Sequence, residues 1–384
     1  MSFQQGLSGL SATNKNLEII GNNIANANTY GAKVSRAEFA DVYAASLNGA
    51  GTNSIGIGVN LVAVSQQFTQ GNITTTENPM DLAINGPGFF QVSDGRNPVA
   101  YTRNGQFKLD REGFIVNNAA DKLVGYPADA NGTILPGKAQ PLQVPTQGIA
   151  PKPTSRIDLE LNLDARQGVT VPAAGPAIDF QDPRTFNNAT SLTIYDAKGQ
   201  DIALTYYFQK SGADTWNVFA TVNGTSVAGT NAAPAPITTV TYASDGSAPL
   251  SPVGGFAVDI PASTNLAGAQ TLPITGLQVD FDGTTQFGSP YGVTNINQDG
   301  FTAGLLSSVT IESNGIIMAR YSNGESKAAG QIEIATFRNP QGLQPLGGNA
   351  WGATIGAGDP VLGTPGEGNL GVLQAGALEE SNVD

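Results

Sequence analysis

The 384-residue sequence contains no histidine and no cysteine. The commonest general base, the commonest metal ligand and the thiol nucleophile are therefore missing together, and neither a disulfide nor a Cys/His zinc site can form. Charge is scarce as well: 13% of residues are Asp, Glu, Lys or Arg, against about 25% in an average soluble domain. The 18 basic residues fall short of the 31 acidic ones, giving a net charge of -13. Phosphate recognition relies on clustered Lys and Arg, and no such cluster is present, so nucleic acid is excluded as a partner. No window of about 18 apolar residues occurs, and no basic stretch at the start leads into an apolar core with a small-residue cleavage site. The sequence thus predicts neither membrane insertion nor a cleaved signal peptide.

What is present is apolar content of 40%, enough for the cores of two or three domains, together with 48 glycines and 23 prolines. The glycines have no three-residue period, so they imply many tight turns and not a collagen-like rod.

The first thirty residues differ from all that follows. Ser2-Phe3-Gln4-Gln5 is a Ser-x-x-Gln capping box that predicts an immediate helix start. Steps of four and three from Phe3 reach Leu7, Leu10, Asn14, Leu17, Gly21, Ile24 and Asn28, with Ile20 beside them, a narrow seam of the coiled-coil kind. Such a stripe ordinarily faces a core in its own domain. A terminal seam this narrow, interrupted by Asn14 and Asn28, points instead to a partner helix. The run Asn22-Asn23-Ile24-Ala25-Asn26-Ala27-Asn28-Thr29-Tyr30-Gly31 predicts the helix end, with Gly31 suited to a left-handed cap. A lone helix of this kind is marginal, so the terminus is expected to order only on assembly.

Residues 31–74 read as an extended connector with a short helical patch near Arg36–Leu47, and from Thr75 onward the pattern is β. Turn dipeptides recur at Asp94-Gly95, Asn104-Gly105, Asn131-Gly132, Asn223-Gly224, Asp245-Gly246, Asn314-Gly315 and Asn323-Gly324. The clearest strand is Ile157–Leu163, in which every second side chain is apolar. Proline near position 145 and the Gly283–Pro290 stretch mark two linkers. The fold class expected is therefore mainly β: an N-terminal helix and connector, then two sandwich- or barrel-like β domains, the second inserted in the first. The inserted domain spans 145–284, the discontinuous one 75–144 and 285–378.

The candidate chemical motifs are weak. Gly366-Glu367-Gly368-Asn369-Leu370-Gly371 matches G-x-G-x-x-G, but no strand leads in and no helical pattern follows to offer a phosphate its amides. Asp280-Phe281-Asp282-Gly283 lacks the later ligands of a calcium loop. Asp158 and Glu160 share a strand face as solvated side chains. No catalytic, cofactor-binding or metal-binding residue is predicted, and no cofactor.

The opening Leu7-Ser8-Gly9-Leu10-Ser11-Ala12, followed by Leu17–Lys33, closely resembles the signature of the rod and hook axial proteins of the bacterial flagellum. Three further stretches resemble the hook branch of that family: Ser35–Tyr43; Asn85–Phe90 with Tyr101–Phe107; and Gly288–Asn297. Ala32 departs from the aromatic residue usual there. The resemblance implies a non-catalytic subunit that self-assembles into a curved, flexible tube, a universal joint passing motor torque to the filament. Residues 1–30 become the axial helix of the inner core, 145–284 the outer domain, and 379–384 the start of a C-terminal helix that the recorded chain breaks off. Phe3, Leu7, Leu10, Asn14, Leu17, Ile20, Asn22, Asn23, Ile24 and Asn26 become the assembly interface. The implied partners are further copies of the chain, the rod, hook cap and hook-filament junction proteins, and the flagellar type III export apparatus, which delivers the chain outside the cell. The alternatives are a distal rod subunit, or a secreted β-rich adhesin or carbohydrate-binding module, for which Trp216 and Trp351 are the available tryptophans.

Overall fold

The computed structural model describes residues 2–43 and 56–383. Helix α1 (Ser2–Ala25) is followed by strands β1 (Ser35–Tyr43) and β2 (Gly56–Gln66), and the rest is β structure with one short 3-10 turn. The chain divides into two compact units: Met1–Gln147 with Leu306–Tyr321 and Ser326–Asp384, and Gly148–Leu305 with Ser322–Glu325.

In the first unit the expected connector is an antiparallel ribbon. Ser35 pairs with Gln66 and Tyr43 with Gly56, with bulges at Glu38/Phe39 and Val42/Tyr43. The helical patch expected near Arg36 is thus strand up to Tyr43, and its remainder to Leu47 lies outside the described residues. Pairing with the Val-rich Gly56–Gln66 outweighs the helix propensity of Ala and Glu in β1. Beyond the ribbon a large sheet runs in the order Leu306–Ile311, Ile316–Tyr321, Ser326–Ile332, Lys122–Pro127, Phe89–Ser93, Ala100–Thr102, Ala350–Gly352 and Gln344–Gly347. Phe89, Tyr101, Phe337 and Trp351 form an apolar cluster joined by Phe68. Its rings meet edge-on, with centroids 5.3 Å apart for Phe68 and Trp351 and 4.8 Å for Tyr101 and Phe337. The Trp351 indole N–H donates to Gln66 Oε1 at 2.6 Å, fastening the end of β2 to the sheet.

Within the same sheet, buried Glu333 accepts from Gln91 Nε2 at 2.8 Å and from the Tyr126 hydroxyl at 2.6 Å. That hydrogen bond, aided by burial, pushes the Tyr126 phenol up to about 12. A phenol held above its ordinary value near 10 favours the folded state while neutral. Its contribution is complete below about pH 10 and is lost as pH climbs through its folded value. Burial also raises the Tyr242 phenol to about 12, so absorbance titration at 295 nm is expected to show more than one tyrosine ionising near the top of that window, with one component fewer in Tyr126→Phe.

The second unit is a sandwich. One sheet runs Phe256–Ile260, Ile274–Asp280, Arg156–Asn162, Gly292–Gln298; the other runs Asn188–Tyr195, Asp201–Lys210, Thr215–Val222, Thr238–Tyr242, Pro249–Ser251. Ile157, Leu159, Leu161 and Leu163 point into one apolar cluster with Tyr206, Phe208, Trp216 and Phe281, as the alternation along 157–163 predicts. Leu159→Ala is expected to cost about 2–5 kcal/mol, the transfer and cavity terms for a well-packed leucine, measured by urea unfolding.

The second boundary falls at Leu305 and not at 284. Gly292–Gln298 pairs with Arg156–Asn162, and Gln286 accepts from the Trp216 indole at 2.8 Å, so Gly283–Pro290 belongs to this unit's own fold. Glycine and proline mark a turn there, and a turn need not be an exit. Of the turn dipeptides, Asn223-Gly224 has both residues at positive φ, 50° and 82°, the primed hairpin geometry. Gly105 is different: a Cβ there would collide with the Leu82 carbonyl oxygen, so close approach and not φ demands glycine.

Candidate assembly surface

Helix α1 contains no proline, but Gly6, Gly9 and Gly21 lie within it and face open space. Each costs about 1 kcal/mol relative to alanine, so the helix depends on packing. It obtains that packing on one side only. Val59 N–H donates to Ser8 Oγ at 3.4 Å, and a Cβ on Gly58 would strike the same hydroxyl. Asn23 clasps Ser35 twice, donating from Nδ2 to its carbonyl at 2.7 Å and accepting its N–H on Oδ1 at 2.9 Å. In this structure the helix is formed and seated on the ribbon. The helix ends at Ala25, inside the asparagine-rich run expected to end it. Asn26 Nδ2 donates to Asn22 O at 2.9 Å, the competition with the backbone that ends asparagine-rich helices.

The other side of α1 carries the seam, and none of the described residues covers it. Phe3 is 83% exposed, Ile24 67%, Leu10 and Leu17 60% each, Leu7 58% and Ile20 42%. Asn14 is exposed on the same side. The reading in which this stripe faces its own domain's core is thereby overturned: the face turned to the ribbon is the polar one. Asn22, Asn23 and Asn26 do not join the stripe. Asn23 faces the ribbon, and the Asn26 amide donates to Asn22 Oδ1 at 3.2 Å along the helix.

A buried charge cluster that the sequence reading missed fixes the base of this helix. Lys33 Nζ lies 2.6 Å from Glu379 Oε1, and Arg103 Nε lies 3.0 Å from Glu379 Oε2, near enough for charge pairing though off the line of a hydrogen bond. Lys33 also donates to Thr69 O at 2.7 Å, and Gly71 N–H donates to Glu379 Oε1 at 3.0 Å. Burial holds the Lys33 ammonium below its ordinary value, with Glu379 opposing the shift. Gly31, at φ 71°, donates its N–H to Glu379 O at 2.8 Å; it lies past the helix, in a turn where a Cβ would stand 2.5 Å from Asn104 N. Glu379 itself ends the strand Ala377–Glu379, which pairs with Ile73–Thr75, and Glu380–Val383 are not helical, where a helix start was expected. Asn382 accepts from Val34 N–H at 2.7 Å and donates to Gln67 O at 2.8 Å. The signal available was a pair of cations, Lys33 and Arg103, inside otherwise apolar or amide-rich motifs of a charge-poor chain.

Chemical sites find no support in this geometry. The Gly366–Gly371 motif is a turn leading into the strand Val372–Ala375, not a helix. Asp280 is paired with Arg156 at 2.9 Å. Trp216 and Trp351 are buried, so neither offers a stacking platform to a sugar.

Over its whole length the chain is 36% identical to the flagellar hook protein FlgE of Salmonella typhimurium, of which it covers 91%. It is 34% identical to that of Escherichia coli K12, again covering 91%. The chain belongs to the flagellar hook protein family. Three family descriptions match parts of the chain: Flagella basal body rod protein over 3–33, Flagellar hook protein FlgE/F/G D1 domain over 83–199, and Flagellar basal body protein FlaE D2 domain over 162–301. A crystal structure of a Helicobacter pylori flagellar hook protein has the same fold, with a TM-score of 0.58 at 16% identity, covering 80% of this chain and 100% of the other. The chain is thus a structural subunit of the flagellar hook, and the rod and adhesin alternatives are not favoured.

Proposed function

We propose that the chain works by polymerising through α1. Phe3, Leu7, Leu10, Leu17, Ile20 and Ile24 are covered by the helices of neighbouring copies, Asn14 sets their register, and Asn22, Asn23 and Asn26 hold the helix end in position. The observation that carries this reading is an apolar stripe more than two-fifths exposed at every one of those six residues, on a helix whose polar side is the one used internally. An apolar surface of this kind marks an association site. Full burial of one such side chain contributes about 1.5–3 kcal/mol, and the contact repeats at every subunit.

The tube so formed is a curved, flexible joint that transmits torque and has no catalytic step. Neighbouring outer units slide past one another with little cost because most of their cations are spent internally. Arg156 pairs with Asp158 and Asp280, Arg166 with Asp164, Arg184 with Asp182 and Lys152 with Asp299. A fixed ion pair between copies would select one register. The chain reaches the cell exterior through the flagellar export apparatus, and contacts rod, hook cap and junction proteins at the ends of the tube. Electron microscopy of the assembled polymer tests the reading: curved tubes are expected, and straight rigid tubes would return the chain to the rod class.

A further inference from the structure

The Asn85–Phe90 and Tyr101–Phe107 motifs are not used by the helix interface, yet they build a cavity in the first unit. Its volume is about 290 Å³, and Phe68, Phe89, Phe337 and Pro340 give it an apolar wall. Arg103 also lines it, with a side chain only 5% exposed. The guanidinium is partly committed: Nη1 donates to Gly86 O at 3.0 Å and to Gly88 O at 2.8 Å, and Nε faces Glu379. Nη2 has no hydrogen-bond partner among the described residues. With Nη1 on two carbonyls and Nε on Glu379, Nη2 is the donor left for an acceptor that enters the cavity.

We infer that this cavity is a docking pocket for an acidic side chain, with the apolar residue beside it, from a second copy of the chain. Charge complementarity selects the occupant. The chain carries 31 acidic residues against 18 basic ones, so an approaching copy presents carboxylates far more often than cations. A carboxylate is the group that a guanidinium fork binds best. The aromatic wall accepts the neighbouring apolar side chain at low cost, as interface pockets do. The inference rests on the polymer reading above and adds a contact separate from α1.

Thr336 lines the cavity and its side chain makes no hydrogen bond to another described residue, so it serves as the probe. In the otherwise cysteine-free chain, a cysteine introduced by Thr336→Cys is expected to react with a maleimide in the free protein and about tenfold more slowly in isolated hooks, the effect of one charge-assisted contact. Phenylacetate, an apolar ring bearing a carboxylate, is expected to slow the same reaction in the free chain, and 2-phenylethanol to leave it unchanged. Thr336→Trp, which fills the cavity, is expected to shorten or abolish hooks in cells. Equal reactivity in hooks and free chain, protection by 2-phenylethanol as strong as by phenylacetate, or hooks of normal length from the cavity-filled variant would each overturn the pocket while leaving the α1 interface standing. Failure of the unaltered chain to form any hook would overturn the polymer reading itself.

Discussion

Replacing Leu10 and Leu17 together by aspartate is expected to leave the melting temperature of the free chain in place and to eliminate hooks from cells that carry the variant. Both side chains are 60% exposed in the single chain, so their loss removes little internal packing. Between copies the accounting reverses. Covering the exposed part of two leucines contributes about 2–4 kcal/mol per contact, and burying two carboxylates in their place adds a desolvation penalty of several kcal/mol. A helical polymer repeats the contact at each addition, so the critical concentration is expected to rise roughly a thousandfold or more. Soft-agar swimming and hook counts by electron microscopy provide the readout, and thermal unfolding of the purified variant provides the control. Substituting Lys15 and Glu18, which pair with each other at 2.7 Å on the exposed surface, is expected to change neither by much, because such pairs contribute about 0–1 kcal/mol.

The second large effect concerns Glu379. Glu379→Gln removes the single anion between two buried cations and is expected to destabilise the first unit by about 3–5 kcal/mol, the cost of leaving buried charge uncompensated. Lys33→Met is expected to cost much less. It leaves Arg103 and Glu379 as a neutral pair, and burial already penalises the Lys33 ammonium, whose pKa lies below its usual range for that reason. The order of the two variants in urea unfolding separates a charge-balance account from one in which every buried ion pair stabilises equally. The location of the cluster gives it mechanical meaning. Lys33 follows the helix, Arg103 follows the strand Ala100–Thr102, and Glu379 lies at the end of the strand Ala377–Glu379, so the cluster ties the segment after α1 to the β structure of its unit. The exchange of amides in β1 and β2 is therefore expected to quicken in Glu379→Gln before global unfolding begins.

The elements readable from sequence were those whose signal is local. Alternation over Ile157–Leu163 specified a half-buried strand because its period of two needs no partner to be seen. The exposed heptad seam was visible for the same reason. The ribbon escaped because Ser35–Tyr43 reads as a helix former until Gly56–Gln66 lies beside it. The boundary at Leu305 escaped because a glycine and proline cluster has the same composition inside a unit as between two. The Lys33, Arg103 and Glu379 cluster escaped because its members are up to 346 residues apart in sequence, and no local pattern announces which distant carboxylate will meet a buried lysine. Asn23 was assigned to the assembly interface by its place in a motif. Its bonds to Ser35 show that a polar residue in an interface motif can act by orienting the helix on its own domain.

The most direct test of the account is the solvent accessibility of α1 in the assembled hook. Single cysteines introduced at Leu10, Leu17 and Ile24 and, on the ribbon side, at Ala12 can be alkylated in the free chain and in isolated hooks. The account predicts rapid reaction at the three stripe positions in the free chain and strong protection of all three in hooks, with position 12 little changed between the two states. Stripe positions that remain equally reactive after assembly would contradict it.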